Sequence, residues 1–462
     1  MDFRETTLVE LARSVRTGKV SARELVQHAL TQIETHNSTI NAFIAVDEKQ
    51  ALEQAMSIDT LVRSGLDPGP LAGIPIGIKD DDDTVGYRTT FGSKLLIDSP
   101  IASKDSPFVA RLKAAGCVVV GKTNTSEFTW SAHTKNSLFG PTRNPLNPEY
   151  SPGGSSGGSA AAIASGMVPL ATGSDGGGSI RIPSSCCGLS GVKPSQGRVP
   201  NGGATPPGWL DLSTKGPMAR RISDIITALD VVVGPEPSDL GSLPRPEASW
   251  PSVLDNPHLP FRIAWSPTLG YAKPDVEVLK VCEQALSILE SMGNEIVQID
   301  KLFDADPLSD WLNIVGACSL RSMESLRGHC DWDTVDPILI AIIDAARTTP
   351  ATDLIASIDN CHRMNLRLVE LFHDARLLIT PTTAGTAPPL ALDGAGLING
   401  LVDPNWVQFT YPFNMTRSPA ATVCAGLSQN GLPVGIQLIG PQHGDLVVLR
   451  SAAALESALN FH

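Results

Sequence analysis

Residues 151–200 read SPGGSSGGSAAAIASGMVPLATGSDGGGSIRIPSSCCGLSGVKPSQGRVP. Two Gly/Ser-rich loops, SPGGSSGGS and GSDGGGS, enclose AAAIASGMVPLAT, which is predicted as a helix giving way to a strand near Val168. Gly/Ser-rich sequence ordinarily reads as a flexible linker, yet these loops flank apolar structure at short intervals. In the second loop Gly176, Gly177 and Gly178 run into Ser179. Successive glycines let a backbone turn sharply and aim consecutive N–H groups inward. Such a nest binds anions and suits an oxyanion hole, with Ser179 at its edge. A solvated serine on a Gly-rich turn is the alternative, and the local pattern leaves both open.

Outward from this stretch, apolar and amphipathic segments alternate. Residues 5–36 are predicted as two helices. Leu8, Leu11, Ala12 and Val15 have helical spacing, Gly18 separates the pair, and Ser21 to Glu24 reads as a capping box. LAGIPIGIK at 71–79 reads as a buried strand, 105–115 as a helix, and 117–120 as a strand. Residues 236–260 read as an exposed connection, 274–292 and 306–376 as mostly helical. LLITPT and GLPVGIQLIG add two strands, and 446–459 a last helix. This alternation implies an α/β fold, a central mixed β-sheet covered by helices on both faces.

The 462 residues are 42% apolar and only 5% aromatic, with 41 Gly and 36 Pro. Turns and loops around a packed centre are expected, rather than disorder. Length alone suggests two or three domains, but large α/β enzymes often form one unit, and a single domain spanning 1–462 is the expectation. The net charge of −13 excludes a typical nucleic-acid binder, which needs a basic face. No apolar run reaches the length of a membrane helix. The N-terminus MDFRETTLVELARS lacks a signal-peptide core, and a cytoplasmic location is the default. Eight cysteines without C-x-x-C spacing read as reduced core residues, with no metal or redox role.

Three motifs fail on physical grounds. Gly116-Cys-Val-Val-Val-Gly121-Lys122-Thr123 spells a phosphate-binding loop, but its variable positions are Cys and three Val, which favour being the strand itself. The four aspartates at 80–83 are candidate cation ligands, yet a charge run is ordinarily a solvated turn. Gly153-Gly-Ser155-Ser-Gly157 fits a nucleophile elbow. That elbow requires a preceding strand, and Asn147-Pro-Glu-Tyr-Ser-Pro152 cannot be a central one; the downstream His362 and His373 lie in helical, Leu-rich surroundings.

Amide hydrolysis needs a nucleophile, a base, an acid for the leaving amine and donors for the oxyanion. A lysine serves as base where burial leaves it neutral, and Lys79 ends the apolar run GIPIGI. The chain here resembles the amidase signature family through GIPIGIKD, GKTNTSEF, FGPTRNP, SPGGSSGGSAAAIASG, GSDGGGSIRIPSSCCGLSGVKPS, LLITPT and GLPVGIQLIG. The series spans roughly residues 70 to 440 in the family's order. The resemblance implies a Ser–Ser–Lys triad: Ser179 as nucleophile, Ser155 as relay on a cis peptide, Lys79 as base. Gly176, Gly177, Gly178 and Ser179 are then the candidate oxyanion donors. Asp175 and Arg181 form a structural brace; Arg181 binding a substrate carboxylate is the alternative. The signature core covers about 65–215 and is completed by about 375–462, around the mostly helical 274–376.

The sequence departs from the family at several places. Gly-Ser-Asp-Gly176-Gly-Gly-Ser replaces G-T-D-T-G-G-S, and the missing Thr is expected to leave room beside the oxyanion site. Asp80-Asp81 replaces D-N. Phe128-Thr129-Trp130-Ser131-Ala132 replaces F-A-M-G-S, making Thr129, Trp130 and Ser131 candidate substrate-binding residues. Arg417 and Cys424 stand where Gly and Pro are usual. The expected activity is hydrolysis of a small amide-type substrate with neither cofactor nor metal. An ester, anilide or carbamate on the same triad is an alternative, and a glutaminase component of an amidotransferase another. No nucleic acid or membrane is expected as partner; a homodimer is an open expectation.

Overall fold

The computed structural model describes residues 2–203, 208–255 and 262–461. Its sheet begins with β1 (Phe43–Val46), β2 (Pro75–Lys79), β3 (Val118–Thr123) and β4 (Leu170–Asp175). It continues with β5 (Ser190–Lys193), β6 (Thr214–Ala219), β7 (Arg262–Trp265), β8 (Glu295–Gln298) and β9 (Leu377–Pro381). After a small separate hairpin, β10 (Gly396–Ile398) and β11 (Leu401–Asp403), come β12 (Ala420–Leu427) and β13 (Pro433–Ile439). The spatial order is β1-β3-β2-β4-β6-β5-β12-β13-β9-β7-β8. β2 runs parallel to β3 and β4, and β7 parallel to β8 and β9, while the other pairs are antiparallel.

Side chains alternate across a strand, and here the alternation divides two apolar cores. Leu377 and Ile379 of β9, Ile436 and Leu438 of β13, and Ile263 and Trp265 of β7 enter one cluster. Leu378, Ile439 and Ala264 enter the other. Helices Leu8–Arg16, Ala22–Ile40, Ile222–Val232, Val276–Ser291 and Asp445–Leu459 close the first face. Leu308–Met323 and Ala351–Asp374 close the second. The expected single-domain α/β architecture is therefore present, with helices on both faces of a mixed sheet.

Local expectations hold where the sequence is strongly patterned. Ser21 caps its helix in a capping box with Glu24. Residues 107–114 are helical and 118–123 form a strand, so Gly121 and Lys122 of the spurious phosphate-loop match lie inside β3. No strand precedes Ser155, which stands just before the helix Gly157–Ala164. Seven of the eight cysteines are buried and all are unpaired; Cys330 is exposed. The 236–260 connection is mostly exposed up to residue 249 but ends on Trp250, which is buried beneath the Arg198 guanidinium; residues 256–260 lie outside the described chain.

The sequence reading missed β1, β5, β6, β7, β8, the β10–β11 hairpin, β12 and the helices Glu48–Arg63 and Ile222–Val232. The run at 80–83 also requires correction. It is no solvated turn: Asp80 and Asp82 are buried, the Asp81 side chain is nearly so, and Asp83 alone is exposed. Three lysines, at the ends of or within β2, β3 and β6, take up its charge, as described next.

Candidate active site

The parallel pairing of β2 with β4 sets Ile76 beside Leu170 and Gly77 beside Ala171. Continued, this register sets Lys79, the last residue of β2, level with Gly173, close to Ser174 and Asp175 at the end of β4. Lys79 N donates to Thr172 Oγ1 at 2.8 Å, fixing the strand end. The Lys79 side chain is wholly buried. Its Nζ lies 2.8 Å from Ser155 Oγ, 2.7 Å from Ser174 Oγ and 3.5 Å from Asp81 Oδ2. Burial pulls its pKa down to about 8; the Asp81 carboxylate opposes this, and the Lys215 ammonium adds to it.

Ser174 explains how the amine can face Ser155. Its hydroxyl donates to Asp81 Oδ2 at 2.5 Å, so its lone pair accepts an N–H from Lys79. With that N–H engaged, the lone pair of a neutral Lys79 is free to turn to the Ser155 hydroxyl. Ser155 follows a cis peptide from Gly154. Its carbonyl accepts from Thr125 Oγ1 at 3.0 Å and from Thr134 Oγ1 at 3.3 Å, holding the loop against the β3 end. Ser156 N donates to Ser179 O at 3.3 Å, which brings the two serine loops into contact.

The triple-glycine loop is held by its carbonyls. Trp311 Nε1 donates to Gly176 O at 3.0 Å, and Thr410 Oγ1 to Gly177 O at 2.6 Å. In a trans peptide C=O and N–H point opposite ways, so the Gly177 N–H is turned away from the Trp311 nitrogen. Among the described residues, the N–H groups of Gly177 and Ser179 have no hydrogen-bond partner. The Gly178 N–H is different: it donates to Asp175 Oδ1 at 2.8 Å. Gly178 is therefore engaged with Asp175, and the candidate oxyanion donors reduce to Gly176, Gly177 and Ser179.

Asp175 and Arg181 are both wholly buried and paired, Nη2 to Oδ1 at 2.8 Å and Nε to Oδ2 at 3.0 Å. The remaining Arg181 donors reach Thr410 O, Gln437 Oε1 and Asn414 Oδ1. All five guanidinium N–H groups are thus satisfied within the protein. None is left for a substrate carboxylate, so that alternative fails. The guanidinium holds the Asp175 carboxyl far below the usual carboxylate range.

The 127–133 loop lies against the Ser155 loop: a Cβ on Gly154 would sit 2.9 Å from Ser131 O. Phe128 and Thr129 both take left-handed conformations, φ 48° and 57°. Ser131 is occupied locally, its Oγ donating to His133 O at 3.0 Å. The Trp130 Nε1 donates to Asp336 Oδ2 at 3.3 Å, and the half-buried side chain bridges two apolar clusters, one of Leu95, Met323, Trp332 and Leu339 and the other holding Ile182, Trp311 and Trp406.

Sequence reasoning missed Trp209 and Trp311. A Cβ on Gly176 would lie 2.5 Å from Trp209 Cε3, and one on Gly177 2.8 Å from Trp311 Cζ2. The two indoles meet edge to face, centroids 5.7 Å apart. The space expected from the missing Thr is therefore filled by Trp209. Gly in place of Thr, in a chain with few aromatics, was the available signal.

A family model described as Amidase matches residues 24–449. The chain is 36% identical to an acylamidase of Rhodococcus erythropolis over 97% of its own length and 94% of that protein's. It is 33% identical to a glutamyl-tRNA(Gln) amidotransferase component of Trichlorobacter lovleyi, covering 100% and 99% of the two chains. The solved structure of a bacterial aryl acylamidase of the amidase signature enzymes superposes with TM-score 0.91 at 28% identity, covering 98% of this chain and 96% of that one.

Proposed function

Because the chain belongs to the amidase family and is an amide-hydrolysing enzyme, we propose that it works through an acyl-enzyme on Ser179, with Ser155 as proton relay and Lys79 as base. The observation that carries this reading is the buried Lys79 amine, 2.8 Å from Ser155 Oγ and with its pKa lowered to about 8. Neutral Lys79 takes the Ser155 proton as Ser155 takes that of Ser179. The Ser179 oxygen adds to the amide carbonyl, and the N–H groups of Gly177 and Ser179, with Gly176 beside them, receive the developing oxyanion. Collapse breaks the C–N bond; the proton passes from Lys79 through Ser155 to the leaving nitrogen. Water then adds by the same relay and releases the carboxylate. Asp175 and Arg181 act by holding the loop, without touching substrate.

An acyl amide or anilide is the proposed substrate class, supported by the names of the acylamidase relatives. Two indoles beside the glycine loop suit an apolar or aryl group. The full-length likeness to an amidotransferase component supports a second reading, ammonia release for a partner complex. Copurification of two partner chains would favour it. A cytoplasmic location is proposed on the eight unpaired cysteines, which suit a reducing compartment. No helix among the described residues is long and apolar enough to cross a membrane.

A fluorophosphonate should add one adduct per chain, on Ser179. Ser179→Ala should abolish anilide hydrolysis with an unchanged melting point. An adduct mapped by mass spectrometry to Ser155 would overturn the assignment.

A further inference from the structure

The buried run at 80–82 faces three lysines: Lys79 at the end of β2 itself, Lys122 of the adjacent β3, and Lys215 of β6, the strand beyond β4. Lys122 of β3 pairs with Asp80, Nζ to Oδ1 3.3 Å, and also donates to Asp82 O. Lys215 of β6 lies 3.4 Å from Asp81 Oδ2 and 3.2 Å from Asp82 Oδ1. Lys79 shares that same Asp81 oxygen, at 3.5 Å. Three carboxylates thus meet three ammonium groups while Lys79 is protonated. A base must give up its proton, and the carboxylates then exceed the cations by one.

Asp81 alone would hold the proton on Lys79, because an opposite charge at this distance favours the charged amine. The family ordinarily has a neutral Asn at this position. Here Lys215 meets the carboxylate at the same oxygen, Oδ2, that Lys79 approaches. Asp81 Oδ1 and Asp82 Oδ2 have no hydrogen-bond partner among the described residues, so Lys215 is the chief counter-charge of both. The other hydrogen-bond partners of the Lys79 amine, Ser155 and Ser174, are neutral hydroxyls, and the Asp82 carboxylate acts on it through space.

We propose that Lys215 is a positioning residue for catalysis: by pairing with Asp81 and Asp82 it keeps their charge from fixing a proton on Lys79, and so sets the pH range in which the enzyme works. Lys215 touches no reacting atom in this scheme; it acts through Asp81. The proposal rests on Lys79 being the base.

The test is the pH profile of kcat/KM on an acyl anilide for the wild type and five variants. Lys215→Met should move the acid limb up by about one pH unit, roughly a tenfold loss on its acid side. Asp81→Asn should move it down. Asp81→Asn combined with Lys215→Met removes the pair together and should return the limb close to its wild-type position. Lys215→Arg keeps the charge and should leave it in place. Should Lys215→Met fail to fold, Asp81→Asn and the double variant still carry the test. A limb that does not move in Lys215→Met, or a double variant whose limb stays with that of Asp81→Asn, with melting points intact, overturns the proposal while leaving Lys79 as base. A limb that persists unchanged in Lys79→Ala instead overturns the triad beneath it.

Discussion

Restoring the family's Thr at position 176 tests the packing of the triple-glycine loop directly. Gly176 is not left-handed, so a side chain there meets no backbone objection. The obstacle is the Trp209 ring, whose Cε3 and Cζ3 would lie 2.5 and 2.6 Å from the new Cβ. Ordinary carbon contacts are about 3.5–4.0 Å, so the indole must retreat by roughly 1 Å or more. It cannot do so alone. Its partner ring, Trp311, is anchored by the Nε1 bond to Gly176 O and lies flush against Gly177. Overpacking of this kind costs about 1–3 kcal/mol, and the strain falls on the peptides proposed as oxyanion donors. Gly176→Thr should therefore lower the melting point by a few degrees and kcat/KM on an anilide by about tenfold or more. Trp209→Ala alone removes a half-buried ring and should cost stability too. The double variant should be better than the sum of the two, by about 1 kcal/mol in urea unfolding, because the clash disappears with the ring. If Gly176→Thr is as stable and active as the wild type with Trp209 present, the ring does not own that space, and the account of the glycine fails.

Trp311→Phe keeps most of the ring but loses the donor to Gly176 O; kcat should fall by about tenfold, KM little, and stability by about 1 kcal/mol. A larger change in KM than in kcat would show that the indole binds substrate rather than orients the loop. Asp224 tests a structural site: its buried Oδ1 accepts from Leu8 N at 2.8 Å, and burial raises its pKa to about 6. The native carboxyl then binds its proton more tightly than the unfolded chain's, at about 4. Its contribution is full below pH 4 and fades as pH rises through about 6, a loss of about 2–3 kcal/mol. Asp224→Asn keeps the acceptor and does not titrate, so its stability relative to wild type should climb between pH 4 and 7 in urea unfolding. Parallel curves would refute the assignment.

What could be read in advance follows how locally each feature is determined. The helices Leu8–Arg16 and Ala22–Ile40 announce themselves because cap, stripe and breaker lie within a few residues. β2, β9 and β13 are apolar runs buried end to end, so their sequences carry the signal alone. β6 carries none: Lys215, Gly216 and Pro217 interrupt it, and Pro217 stands opposite Thr172 in the middle of the sheet. β8 is half-exposed and four residues long. These strands exist because neighbouring strands complete their pairing, and that information lies in distant segments.

The site divides in the same way, and the division bears on how its chemistry is tuned. Lys79, Ser155 and Ser179 sit on short motifs whose glycines are required by local geometry, so a resemblance can point to them. What adjusts them arrives from elsewhere: Lys215 from β6, Trp209 from the loop before it, Trp311 from a helix and Thr410 from the approach to β12. Two of them, Lys215 and Trp209, act on a position where the signature itself is altered. Asp81 replaces a neutral residue and is met by Lys215; Gly176 replaces a larger one and is met by Trp209. Read singly, the two changes suggest a solvated charge and an empty space. In the folded chain each is half of a pair, and the other half lies well over a hundred residues away for the charge and 33 for the ring, at positions with no motif of their own. A substitution inside a signature loop is thus best read as a question about which distant side chain has moved in to answer it, and here both answers come from the segment between Trp209 and Lys215.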